Sequence, residues 1–541
     1  MYKEAKIPAF GRGIPALLAF FIPLILVAAS LTALWSVTAD SLDGLNSKEG
    51  WILSSLLSNV YIIRAIQFTL MQATLSAVLS TALAIPLARA FATRQFRGRT
   101  AILSLFGAPF ILPVIVAILG LLAVWGKSGP IHTGVTSMGL GDFSIFGLGG
   151  ILLAHVFFNL PLATRILLQG WFSIPAEQWR LVAQLGMDSR SIARHVEWPM
   201  LKERLPGIFA LVFLLCATSF TVVLALGGGP KSTTIELAIY QAIRYDFDLD
   251  RAALLACIQI VLCAGLAVIF RLISKDHDTG QSLGGTIVRS DRSDRTARLS
   301  DGLTITMALA FLGFPLLAAF TRGIYGLLQH GINMGDIAPA ILRSITVSLG
   351  ACLVMLVISL PLAQLSIHVR GKAKRLVELP GFAIMVAPPI ALGAGLFVLL
   401  HNHVAIDDLA LPLTSLLNGL QAVPFALIIL TPAMAQIKNN YGRQIQHLGL
   451  EGPSAIRLIH WPLMRRPVGL CLGITAALSM GDLGVIALFG SPSEPTLPLY
   501  LYQQMGAYRM DQAYGTGLLL TALAFAFFIL FDKGLGGRDQ T

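Results

Sequence analysis

The sequence predicts an all-α polytopic membrane protein, with about twelve transmembrane helices in two parallel six-helix repeats. Three observations carry that prediction. Hydrophobic residues fill 55% of the 541 positions and charged residues 12%, the latter about half the roughly 25% of a soluble domain. Mean hydropathy is +0.75, and apolar runs recur at the roughly 20 residues that a bilayer core about 30 Å thick demands of a helix. The stretch Arg180–Pro199, RLVAQLGMDSRSIARHVEWP, returns as Arg443–Pro462, RQIQHLGLEGPSAIRLIHWP, shifted by 263 positions and matching at seven of twenty. Average residue usage would give about one match. Third, Lys and Arg alternate between rich and poor loops, as the positive-inside rule requires.

In order, spans are expected near 15–36, 66–90, 101–125, 148–169, 205–226 and 252–273, then 303–321, 343–366, 378–400, 413–435, 467–489 and 514–532. Lys3, Lys6 and Arg12 precede the first apolar run, Pro15–Trp35. That run is too long for a signal peptide and shows no small-residue cleavage site, so it reads as an uncleaved first span. The rich loops carry Arg94, Arg97 and Arg99, then Arg180–Arg204, the region after Ser274, Arg370–Arg375, and Lys438–Arg466. Both termini and both copies of the repeated stretch are therefore expected in the cytoplasm. The same rule absorbs the formal charge of +11 and removes the need for a nucleic-acid partner. Cys216, Cys257, Cys263, Cys352 and Cys471 all fall inside spans, which is not the pattern of a disulfide framework.

The duplication reaches beyond the repeated islands. Ile85-Pro86-Leu87-Ala88 returns as Leu360-Pro361-Leu362-Ala363 and Pro113 as Pro388, both shifted by 275, whereas Pro161 and Pro424 are 263 apart. The twelve-residue difference falls in the outside loop Gly126–Gly147, where insertions cost little. Six spans per copy, an even number, make the repeats parallel. The first repeat is assigned to 1–273 (core about 61–273) and the second to 301–541 (core about 337–534). Residues 274–300, charged and rich in Gly, Ser and Asp without periodicity, read as a flexible cytoplasmic linker.

Each island is expected to be a short amphipathic helix, a glycine, then a second helical stretch closed by Trp-Pro. Leu181, Val182, Leu185 and Met187 form an apolar set near helical spacing, with Ile445, Leu448 and Leu450 as part of it in the second copy. Gly186 and Gly449 permit a turn or a close approach. Pro199 and Pro462 are expected to end the helix before the next span. One copy alone suits a helix lying on lipid headgroups; two matching copies on one face suit docking of a symmetric pair of partners.

The spacing Gly, nine residues, Val196 or Ile459, one residue, Trp-Pro resembles the EAA loop of ATP-binding-cassette importer permeases. In that family the loop forms the coupling helix that sits in a groove of the ATPase subunit. One departure is plain: the acid-Ala-Ala opening is Arg180-Leu181-Val182 here and Arg443-Gln444-Ile445 in the second copy. GILLAHVFFNLPLATRILLQ (Gly150–Gln169), LGGGPKSTTIELAIYQAIRYDFDLDRAA (Leu226–Ala253) and SMGDLGVIALFGSPSEPTLPLYLYQQMGAYR (Ser479–Arg509) look like the fused permease of bacterial thiamine importers. That resemblance implies a periplasmic thiamine-binding protein, two copies of a separate ATPase that uses the ATP, and import of thiamine and its phosphate esters. This chain would bind no cofactor. Fused ferric iron permeases share the architecture, so the long motifs carry the substrate assignment.

Thiamine carries a permanent positive charge, and a path for it calls for aromatic faces and one or two acids. Acids are nearly absent from the spans. Asp482 stands out in the eleventh, with Ser219 as its counterpart; it is either a path residue or a group that bonds a neighbouring helix. Tyr240 and Tyr502 lie in the outer loops Gly227–Arg251 and Gly490–Gln512, which either receive the binding protein or scaffold a gate. Pro113, Pro388, Pro161 and Pro424, with Pro86 and Pro361, are expected to kink spans that line the path. Gly120–Ser128, GLLAVWGKS, misses the P-loop spacing by one residue, and His195, His447 and His460 lack metal-ligand spacing. No catalytic constellation is recognisable. An ion-coupled secondary transporter is the competing class, but it has no use for twin docking helices.

Overall fold

A computed structural model describes residues 14–43, 59–107, 111–139, 141–273, 295–331, 334–369, 371–450 and 453–536, and all regular structure among them is helical. Helices α1 (Ile14–Asp43) and α2 (Val60–Thr93) are continuous. The Asn59 side chain caps α2 by accepting the Tyr61 N–H at 3.0 Å, satisfying a donor that every helix start leaves over. The chain then breaks. Helices α3 (Arg99–Leu105) and α4 (Val114–Trp125) replace the single span expected over 101–125, and Pro113 caps α4. A proline fixes φ and has no N–H to donate, so it opens a helix more readily than it continues one. Next come α5 (Pro130–Ser137), the continuous α6 (Leu148–Phe172), and the first island, α7 (Ala176–Gln184) and α8 (Ser189–Ile192). Helices α9 (Trp198–Ala217) and α10 (Phe220–Leu226) meet at a bend of 56°. Helices α11 (Ile235–Arg244) and α12 (Leu249–Ile273) complete this half.

The second half runs through α13 (Arg295–His330), α14 (Met334–Ser366), α15 (Lys372–Val386), α16 (Pro389–Leu400) and α17 (Ile406–His447). It ends with α18 (Pro453–Ala455), α19 (Trp461–Met480), α20 (Gly484–Phe489), α21 (Leu497–Gly506) and α22 (Met510–Gly536). Between α15 and α16, Ala387 is extended (φ −94°, ψ 106°), as the residue before a proline prefers. Among the described residues nine helical stretches are long and apolar enough to cross a membrane, and the α9–α10 pair adds a tenth. The spans expected at 378–400 and 467–489 are the broken pairs α15–α16 and α19–α20. The supposed outer loops each contain a helix, α11 and α21. The expected linker falls mostly on 274–294, outside the described residues, while 295–300 already belong to α13.

Within each half, α2 packs on α6 and α9, and α14 packs on α17 and α19. The lead helices cross over. Helix α1 lies against α14 and α16 of the second half, and α13 lies against α2 and α4 of the first. Both crossings need a glycine. A Cβ on Gly120 of α4 would stand 2.4 Å from the Pro315 carbonyl oxygen of α13, and one on Gly395 of α16 would stand 2.6 Å from Ser30 of α1. These two glycines are 275 positions apart, the same shift that relates Pro113 to Pro388. Polar ties join the halves as well: Arg94 pairs with the buried Asp301 at 2.7 Å, Arg244 donates to the Gly490 carbonyl at 3.1 Å, and the Tyr514 hydroxyl donates to the Leu119 carbonyl at 3.3 Å.

Candidate coupling islands and translocation path

The first island is a helix closed by a left-handed glycine. The Gly186 N–H donates to Ala183 O at 3.3 Å and the Met187 N–H reaches back to Val182 O at 3.2 Å, the pair of bonds that defines a Schellman ending. Gly186 has φ +57° and Gly449 has φ +60°. A Cβ at either would meet nothing within 4 Å, so the requirement is the turn and not a close approach. In the second island the Leu450 N–H makes the matching bond to Ile445 O at 3.1 Å. After Gly186, the Asp188 carboxylate caps α8 by accepting the Ser191 N–H at 3.3 Å, and bonding from Ser191 holds its carboxyl below the usual carboxylate range.

Pro199 and Pro462 do not end a helix, contrary to expectation. Each sits in the first turn of a new one, α9 or α19, joined to the island through a π-helical turn at Ala193–Glu197 or Ile456–His460. The Trp198 N–H donates five residues back to Ala193 O, and the Trp461 N–H to Ile456 O. Widening the ladder one residue before the proline lets the helix pass a position that cannot donate. The part of each island after its glycine turn and the following long helix are thus one rod, continuous over Ser189–Ala217 in the first half.

The apolar set divides by direction. Leu181 and Leu185 are 54% and 66% exposed and Leu448 is 70% exposed, whereas Val182 is buried and Met187, Ile445 and Leu450 are half-buried. The two islands also differ. Ser173 and Pro175 separate α7 from α6, but Lys438 stands where Pro175 would recur, and α17 runs unbroken into the second island. Sequence reasoning missed Glu197, which anchors the first island. Its buried carboxylate accepts from Arg89 of α2, at 3.1 Å to each oxygen, and from the Trp171 indole of α6 at 3.1 Å. The signal was an acid directly before Trp-Pro; the second copy has His460 there.

At the centre, the broken helices of the two halves meet. A Cβ on Gly481 would lie 2.9 Å from Pro113 of the first half, and one on Gly484 would lie 3.5 Å from Phe220 of the first half and 3.6 Å from Ile390. Pro113 and Pro388 are therefore break points capping α4 and α16, while Pro161 and Pro424 lie inside continuous helices, Pro161 buried. Asp482 occupies the break between α19 and α20. Its two oxygens accept the Gly484 and Val485 N–H groups, each at 3.2 Å, so the carboxylate serves the positive end of α20. Ser219 occupies the matching break but makes no side-chain cap bond. Asp482 also lines a cavity with Ser344, Thr414, Ser479, Thr496 and Pro498. That cavity has room for about one water. Tyr240 packs edge-on against Phe220 at 5.2 Å and against the exposed Tyr245 at 5.7 Å; Tyr502 stands near Tyr245.

Comparison with known proteins now decides the family. No protein-family model matches the chain. The thiamine transport system permease protein ThiP of Salmonella typhimurium is 41% identical over 538 residues, 98% of each chain. The Escherichia coli protein of the same name is 40% identical over 521 residues, 95% of this chain and 94% of its own. This chain belongs to the thiamine transport permease family. The Haemophilus influenzae member is 35% identical over 479 residues, and a sulfate permease, CysW of Synechocystis, is a distant relative at 26% over 209 residues. Membership of the thiamine permeases, together with the many apolar helices, makes this a multi-pass membrane protein of a transport system.

Proposed function

We propose that this chain is the membrane-spanning permease of an ATP-driven importer that moves thiamine and its phosphate esters from periplasm to cytoplasm. The family relationship across nearly the whole chain carries the substrate. One chain supplies both permease repeats, 1–273 and 301–541, in the inner membrane with both termini cytoplasmic. Two copies of an ATPase dock on the islands through Leu181, Leu185 and Leu448, with Gly186 and Gly449 setting the turn. A periplasmic thiamine-binding protein delivers the cargo on the opposite side, where Tyr240 and Tyr502 lie.

The mechanism follows from the rods. The second stretch of each island, after its glycine turn, continues through its π turn into a 20-residue helix, α9 or α19, about 30 Å long. The far end of each rod is the break at Ser219 or Asp482. Closure of the ATPases moves the islands, and the rods carry that motion to the meeting of broken helices at Pro113, Pro388, Phe220 and Gly484. Asp482 offers a negative charge to the thiazolium as the centre parts.

Uptake of labelled thiamine by ATP-loaded, right-side-out vesicles carrying the chain, its ATPase and its binding protein tests this. A Gly186→Asp, Gly449→Asp double variant that reaches the membrane is expected to lose both ATPase co-purification and uptake. Uptake that persists without the ATPase and follows an ion gradient would overturn the reading.

A further inference from the structure

Glu236 is the second residue of α11, fully buried, and neither of its carboxylate oxygens has a hydrogen-bond partner among the described residues. An acid in that condition inside a membrane bundle is expensive and marks function by default. Its position acquires meaning from the pseudo-symmetry. The Ile235 N–H, at the start of α11, donates to the Thr69 hydroxyl at 3.0 Å; the Leu497 N–H, at the start of α21, donates to the Ser344 hydroxyl at 2.8 Å. Thr69 and Ser344 are 275 apart, and Ile235 and Leu497 are 262 apart. On that register Glu236 matches Pro498. Pro498 and Asp482 line one cavity in the second half, so their counterparts in the first half are Glu236 and Ser219. Each half thus keeps one acid at this place, contributed from opposite positions.

Two of the helices packed against α11, α2 and α12, carry further unsatisfied acceptors. The Gln72 and Gln259 amide groups donate to the Cys216 and Ala217 carbonyls at 2.9 and 3.2 Å, at the end of α9. Their side-chain oxygens, buried, have no partner. Glu236 lies within electrostatic reach of Cys263, whose sulfur also meets the Gln259 amide at 3.8 Å. Two free amide oxygens at the end of a rod, on the helices that flank an unpartnered carboxylate, suit an organic cation bearing N–H donors.

We propose that Glu236 is a second charge contact for the transported cation, the first-half partner of Asp482, exposed when α10 swings away from the end of α9. The proposal rests on the importer reading. Two measurements test it on the full complex in lipid nanodiscs or vesicles. During turnover with ATP and binding protein, thiamine is expected to protect Glu236 from a hydrophobic carbodiimide, read by mass spectrometry of its peptide. Glu236→Gln, in complexes that still co-purify with the ATPase, is expected to lower thiamine uptake about tenfold or more, with Glu236→Asp retaining more than Glu236→Gln. Wild-type uptake by Glu236→Gln, or loss of uptake without protection of the native carboxylate, overturns the proposal. If Glu236→Gln fails to assemble, the protection measurement on the native complex decides alone. A native complex that hydrolyses ATP but takes up no thiamine sinks the importer reading instead, and is distinguishable because no variant is needed to see it.

Discussion

Asp482 performs two tasks that substitution can separate. Its oxygens cap α20 at Gly484 and Val485, and it lines the small cavity between the broken helices. Asn retains an acceptor for one of those N–H groups and removes the charge. Asp482→Asn is therefore expected to keep most of the thermal stability and lose thiamine uptake, whereas Asp482→Ala also loses the cap, about 1 kcal/mol. A melting curve and an uptake assay on the same preparations check both. The acid was legible in the sequence because carboxylates are so rare within the spans. Its role as a cap was not, because the break beside it carries no proline and lies in the middle of a stretch long enough to read as one span. Glu236 was visible only as one polar residue in an outer stretch; its burial and missing partners belong to the packing of α11 against α2 and α12.

The two islands are the same element anchored in different ways. Glu197 ties the first to α2 and α6 through Arg89 and Trp171, while the second is the end of a 42-residue helix. Removing one partner of a buried pair costs about 3–5 kcal/mol, and the lower end applies because the Arg89 side chain is 25% exposed. Glu197→Met is expected to lower the melting temperature and the recovery of ATPase with the permease, and Arg89→Met with Glu197→Met to cost less than Glu197→Met alone. Thermal unfolding of the three proteins, with quantified co-purification, provides the check. The repeat, the glycines and the Trp-Pro pairs of these elements were all readable as spacing. The π turns were not, since a one-residue widening of a helix leaves no compositional trace, and this is why Pro199 and Pro462 were expected to stop helices that they begin.

Across the whole molecule, the crossing of α1 and α13 makes each half a partner in the other's core. Chains cut within residues 274–294 and expressed together are expected to assemble, because Gly120 against Pro315 and Gly395 against Ser30 hold them. Gly120→Leu is expected to abolish that pairing, measured as co-purification of one half through a tag on the other. Spans and duplication came from local composition, but such an exchange depends on contacts between residues hundreds of positions apart, which no periodicity encodes. The exchange also sets a timetable for the newborn chain. Ser30 leaves the ribosome some 365 residues before Gly395, a wait on the order of 20–70 s at about 5–20 residues per second. Until then the first helix has no α16 to rest on. In its own half α1 rests chiefly on α12, and a chain that stalls in the second half leaves its first span with one face uncovered for quality control to find.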